Sequence, residues 1–183
     1  LERDFLTLLE VDNSVRTFRA QPESLRYELN GKTHRYVPDF RVEYWDGRSE
    51  IVEIKMEEKA AKPEMQELFE AVRECFRNRN LTYRVVTDKY IRQEPQLSNA
   101  KVLLYQGSRE PSYDLLVRVG LAFSQCPPRT LGDLERSLGG NSDLRYVLYS
   151  IALRNGFDLD LTTAPLSAET RILSDFNYEL VRR

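Results

Sequence analysis

Two short segments concentrate the side chains that could do chemistry. In 36–45, "YVPDFRVEYW", a carboxylate follows a proline at Pro38-Asp39. In 50–55, "EIVEIK", Glu53 stands two residues before Lys55. Successive strand residues alternate faces, so Glu53 and Lys55 project together while Ile54 points into the core. How Asp39 meets them depends on the turn. A two-residue Asp46-Gly47 turn would pair Trp45 with Arg48 and put the two acids on opposite faces. A three-residue loop, Trp45-Asp46-Gly47 with Gly47 left-handed, pairs Tyr44 with Arg48 and Asp39 with Glu53. The bulged loop is the expected one, and directly opposed residues have Cβ atoms about 4.5–5.5 Å apart.

Carboxylates held that close repel, and one keeps its proton unless a cation sits between them. Oxygen ligands suit a hard divalent ion, Mg²⁺ or Mn²⁺, which lowers the pKa of a bound water and stabilises charge on a phosphate oxygen. Lys55 beside such an ion would orient the water or balance charge. The bland alternative is a solvated sheet face carrying a surface ion pair.

The elements that must position these groups read as follows. Residues 1–10, "LERDFLTLLE", repeat Leu1, Phe5, Leu8 and Leu9 at helical spacing, with Glu2 at the edge of the apolar face. The stretch 24–56 gives three strand candidates, punctuated by Asn30-Gly31 and Asp46-Gly47. After a charged stretch, Pro63 opens a helix whose stripe is Met65, Leu68, Phe69, Val72 and Phe76. "LTYRVVTD" (81–88) follows as a strand; strand, helix, strand is a crossover, so it should run parallel to the strand ending at Lys55.

The pattern turns mainly helical after 92–99. "PSYDLLVRVGLAF", "TLGDLERSL" with Thr130 as N-cap, and "SDLRYVLYSIALRNGF", which starts at Ser142 and closes at Asn155-Gly156, are helix candidates. Two short strand-like pieces follow around a polar, proline-containing tip. Helices followed by a hairpin describe a winged helix. The expected fold is thus α/β, a mixed sheet flanked by helices over 1–94, with a mainly helical winged-helix domain over 95–183.

Composition narrows the chemistry. The 183 residues are 41% hydrophobic and 31% charged, a globular balance, and no apolar run is long enough to span a bilayer. Cys75 and Cys126 lack any CxxC spacing and His34 is the sole histidine, which excludes zinc frameworks and histidine triads and fits a reducing cytosol. The first residue is Leu1 and not Met, which raises the expectation of a fragment. The net charge of −2 is not that of an autonomous DNA-binding protein, yet the 27 basic residues are mostly arginine, whose fork suits phosphate. Weak binding alone and useful binding inside an assembly are expected.

Taken together, these residues resemble the PD-(D/E)xK nuclease superfamily and, within it, the TnsA-type transposon endonucleases. "LERDFLTLLEVDNSVRTFRAQP" is similar to that family's glutamate helix and Gln-Pro element, here Gln21-Pro22; "HRYVPDF" and "VEIK" resemble its active-site strands. "TDKYIRQEPQLSNAKVLLY" resembles the connection out of the nuclease core. The resemblance implies that Glu2, Asp39 and Glu53 ligate Mg²⁺ (or Mn²⁺), with the Ile54 carbonyl assisting and Lys55 acting in catalysis. It further implies cleavage of the non-transferred strand, at the 5′ ends, in double-stranded DNA at transposon ends. A TnsB-type transposase would cut the other strand, and a TnsC-type AAA+ ATPase regulator would engage the winged-helix tail. A bacterial cytoplasmic protein, nucleoid-associated when active and with no membrane partner, is expected.

Gln21, His34, Lys59 and Lys62 are candidate DNA contacts, each with an ordinary surface or structural reading beside it. On the last helix, Arg145, Tyr146, Tyr149 and Arg154 fall on the polar side, where nearby Asp143, Asp158 and Asp160 favour protein over DNA contact. Two rival functions remain: a stand-alone restriction or repair nuclease of the same superfamily, and an inert assembly adaptor. Intact Asp39, Glu53 and Lys55 oppose the adaptor.

Overall fold

The computed structural model describes residues 1–140 and 143–181, and the chain divides into two compact units, Leu1–Gln93 and Glu94–Arg183. No helix among the described residues is long and apolar enough to cross a membrane.

The first unit runs α1 (Glu2–Val11), β1 (Val15–Ala20), β2 (Leu25–Leu29), β3 (Lys32–Tyr36), β4 (Phe40–Tyr44) and β5 (Ser49–Lys55). It continues with α2 (Glu57–Ala60), α3 (Pro63–Arg77), β6 (Thr82–Thr87) and α4 (Asp88–Ile91). Four strands form one sheet in the order β1-β4-β5-β6, and β2 and β3 form a separate two-stranded ribbon. β5 and β6 are parallel, as the crossover through α3 requires, and the other pairs in the sheet are antiparallel. This is the mixed sheet flanked by helices of a restriction-endonuclease-like fold.

Both faces of the sheet are covered. On one face, Phe5 of α1 packs on Phe40 with ring centroids 5.6 Å apart, and Phe40, Val42, Val52 and Ile54 are buried. On the other, Ile51 joins Phe69, Val72 and Phe76 of α3, Tyr83 of β6, and Leu25 and Tyr27 of the ribbon. Met65 and Leu68 pack at the margin of that cluster. Pro63 occupies the first turn of α3, where a missing N–H costs no intrahelical bond.

The hairpin takes the bulged register. Glu43 pairs with Ser49, Val42 with Glu50, Arg41 with Ile51 and Phe40 with Val52. The Tyr44 N–H donates to the Arg48 carbonyl at 3.0 Å, and Gly47 has φ +87°. Continuing that register places Asp39 opposite Glu53.

The second strand expected within 24–56 is in fact two, β3 and β4, which belong to different sheets. The break falls at Val37-Pro38-Asp39, because proline cannot donate to a ladder and resists a central strand position. β1 adds a strand that hydrophobic alternation did not reveal: its side chains are exposed or half-buried throughout. The charged stretch before Pro63 contains α2.

The second unit holds α5 (Gln96–Gln106), α6 (Tyr113–Gln125), α7 (Leu131–Ser137), α8 (Leu144–Leu153) and α9 (Tyr178–Val181). α5 fills what the sequence suggested was a connection. Thr130 caps α7 through a reciprocal capping box with Asp133. Beyond the last residue of α8, Leu153, Asn155 turns the chain with φ +60°, and the Gly156 N–H returns to the Ile151 carbonyl. The start proposed for this helix, Ser142, lies outside the described residues. The strand-like pieces after α8 reduce to isolated antiparallel bridges, Leu159 to Ile172 and Thr130 to Arg171. The polar tip between them is pinned to α5 by Asn99, whose amide donates to the Leu161 and Ala164 carbonyls and accepts from the Leu166 N–H.

One assignment on α8 differs in the structure. Tyr149 is buried rather than on a polar side, because α8 also buries Leu144, Leu148, Ile151 and Ala152 and so packs over more than one stripe. Arg145 is committed within the unit, its guanidinium donating twice to the Glu135 carboxylate at 2.7 Å. Arg154 likewise reaches Glu110, and Tyr146 lies under Arg109.

Candidate active site

The site begins at the chain break that Pro38 imposes. In the hairpin register Pro38 would face Ile54, yet the Ile54 N–H donates instead to the Asp39 carboxylate, Oδ2 at 2.7 Å. Asp39 therefore substitutes for a ladder partner, and this fixes its side chain against β5. The Asp39 carbonyl in turn accepts from the Gln21 N–H at 2.8 Å. Gln21 is exposed and holds φ +44°, a left-handed conformation that a non-glycine residue adopts at a cost of about 1–3 kcal/mol.

Glu53 is buried, with 3% of its surface exposed, so the solvated-face alternative fails. Burial raises its pKa above the usual carboxylate range and the neighbouring Asp39 adds to the rise, while hydrogen bonds from Lys55 and Tyr36 oppose it. The Lys55 ammonium lies 2.5 Å from Glu53 Oε1, and the Tyr36 hydroxyl donates to Oε2 at 2.6 Å. Behind it, the Tyr83 hydroxyl is 2.8 Å from that of Tyr36. Tyr36 has one proton and gives it to Glu53, so Tyr83 donates to Tyr36. Burial pushes both phenols well above their ordinary value, so both remain neutral donors.

The structure thus brings Asp39, Glu53, Ile54 and Lys55 together, with Gln21 tied to Asp39 through its backbone. Glu2 is exposed in the first turn of α1. Among the described residues, no three His, Cys, Asp or Glu side chains gather closely enough to hold a metal ion. His34 is exposed on the ribbon and stacks on Tyr27 at 5.3 Å. Lys59 and Lys62 are exposed around α2, beyond the end of β5.

Tyr36 and Tyr83 were not singled out from the sequence. Tyr83 had a usable signal: it stands opposite Ile51 in the parallel pair, two residues before Glu53 on the same face. Tyr36 had none, since its approach depends on how the ribbon folds back over the sheet.

Residues 12–88 match the family model described as the TnsA-like endonuclease N-terminal domain. Those residues of the first unit are similar to a TnsA-like endonuclease domain. The matched segment of this TnsA-like domain contains Gln21, Asp39, Glu53 and Lys55, whereas Glu2 and the whole second unit lie outside it. A comparison with curated proteins gives no match.

The donor set of the TnsA-like site can be tested against a metal on its own chemistry. Two carboxylates face each other from adjacent strands, one of them buried, and their repulsion adds to the raised pKa of Glu53. A single ammonium offsets part of that charge. Hard oxygen donors with an uncompensated negative charge fit Mg²⁺ or Mn²⁺.

Proposed function

We propose that this protein is a metal-dependent DNA endonuclease that cuts the non-transferred strand, at the 5′ ends, of double-stranded DNA at transposon ends. It does so as one subunit of a heteromeric transposase. The observation that carries the reading is the opposed pair of Asp39 and Glu53, with Lys55 on the buried acid, inside the segment that matches the TnsA-like family.

Asp39, Glu53 and the Ile54 carbonyl would hold Mg²⁺, with Glu2 as a further proposed ligand. When bound, such an ion supplies Lewis acidity toward a phosphate oxygen and makes water a better nucleophile. The chain's own residues do the rest. The Ile54 N–H fixes the Asp39 carboxylate, and Tyr36 fixes that of Glu53. Lys55 favours the ionised form of buried Glu53 against the effect of burial and offers its ammonium to charge developing at the phosphate. Gln21, His34, Lys59 and Lys62 stand as candidate DNA contacts.

The second unit is read as a winged-helix-like partner-binding domain over 95–183, on the order of its helices and the bridges that Leu159 and Thr130 make to Ile172 and Arg171. Its partners would be a TnsC-type AAA+ regulator and a TnsB-type transposase that cuts the other strand. Its working place would be the bacterial cytoplasm, at the nucleoid.

Calorimetry with Mn²⁺ on the native chain and on Asp39→Asn tests the reading. Binding that Asp39→Asn abolishes is the expected result. No binding by the folded native chain at millimolar metal and neutral pH, with duplex DNA present or absent, would overturn it.

A further inference from the structure

Beside the carboxylate pair, the sheet carries an arrangement that folding alone disfavours. β1 is an edge strand, and its Arg19 stands directly opposite Arg41 of β4. Like charges at directly opposed antiparallel positions repel. Arg41 is partly compensated, by Glu43 Oε1 at 3.3 Å and by the Ser49 hydroxyl at 3.2 Å. Arg19 is exposed and forms no ion pair with an acid among the described residues. The two arginines, with Thr17, Phe18 and Glu43, line an open cleft of about 360 Å³.

The register fixes where this cleft points. Arg41 faces Ile51 across the hairpin, and Ile51 shares its face of β5 with Glu53 and Lys55. Both arginines therefore project from the face that bears the buried acid, two residues along β4 from Asp39. That step is about 6.6–6.8 Å of strand. Two planar guanidinium forks in an open cleft, in a chain of net charge −2, suit an oxyanion with several acceptor oxygens.

We infer that Arg19 and Arg41 form a phosphate-binding cleft that grips the backbone of duplex DNA beside the bond to be cut, setting the position of the strand relative to Asp39 and Glu53. The inference deepens the nuclease reading and rests on it for the identity of the ligand. The contacts are to phosphate, so they position the duplex and carry no sequence preference.

The test is duplex-DNA binding by the full chain without divalent metal, followed by fluorescence anisotropy over a salt series. Arg19→Ala is the main variant, because its exposed side chain can be removed without opening the core; Arg19→Lys and Arg41→Gln accompany it. Expected are an affinity about five- to tenfold weaker for Arg19→Ala, equal across unrelated sequences, and a salt dependence lower by about one counterion. Arg19→Lys should recover part of the affinity, and Mn²⁺ binding should be unchanged in every variant. Native affinity and slope in Arg19→Ala, or no duplex binding by the native chain at about 50 mM salt, would overturn the inference. Because DNA is read without metal, failure of the metal site and failure of the arginine cleft are separate results.

Discussion

The Tyr36 hydroxyl donates to Glu53 Oε2 at 2.6 Å, and it does so from a ribbon that belongs to a different sheet. The ribbon thereby orients the buried carboxylate of β5, with Tyr83 aligning Tyr36 from behind. Tyr36→Phe removes that donor while keeping the ring's contacts. Partners that orient a metal-binding side chain typically contribute 10–100-fold to affinity. Mn²⁺ affinity should fall by at least about tenfold, with its pH dependence displaced upward, because an ionised Glu53 loses a hydrogen bond. Calorimetry at several pH values reads both. An unaltered pH profile would show that Tyr36 only fills space.

Glu53 also sets a pH dependence of stability. Its folded pKa is raised, so above the ordinary glutamate value of about 4.3 the folded state retains a proton that the unfolded chain has lost. Metal-free stability should therefore be at its full value below that pH and fall as pH rises from there through the folded pKa. Glu53→Gln should flatten the slope, which urea midpoints between acid and neutral pH would reveal. Mn²⁺ affinity should rise over the same window, with proton release. A native slope shared by Glu53→Gln would assign the effect elsewhere.

Gly47 holds the register that puts Asp39 opposite Glu53. Its φ is +87°, and nothing lies within 4 Å of where a Cβ would sit. The cost of a side chain there is purely conformational, so Gly47→Ala should destabilise by about 1–2 kcal/mol and Gly47→Asn by less. Equal losses for both in urea titrations would point to crowding instead.

In the second unit, buried Asn99 makes three hydrogen bonds to the 161–166 segment. Asn99→Leu leaves two carbonyls and an N–H without that partner. The expected loss is about 2–4 kcal/mol by urea denaturation. Hydrogen exchange should rise first at the Leu166 N–H. A loss below about 0.5 kcal/mol would mean the tip is held by other contacts.

The core of the site was legible because its signals are local. Strand alternation placed Glu53 with Lys55, loop length and Gly47 chose the register, and Pro63 marked the helix that makes β6 parallel to β5. Pro38 marks an active-site motif in the sequence, whereas its role as the strand terminator that separates β3 from β4 shows only in the fold. α8 misled for a related reason: periodicity identifies one buried stripe, and a helix enclosed on more than one side buries residues such as Tyr149 that the pattern assigns to solvent.

The sequence by itself determined which carboxylates would face each other, since periodicity and turn chemistry act over a few residues. Only the tertiary structure decided that Glu53 is buried, that Tyr36 and Tyr83 line up behind it, and that Arg19 meets Arg41 at the sheet edge. Those relationships join residues 17–47 positions apart, or depend on which face a helix covers. They are set by packing between elements, which no local pattern of residue types encodes.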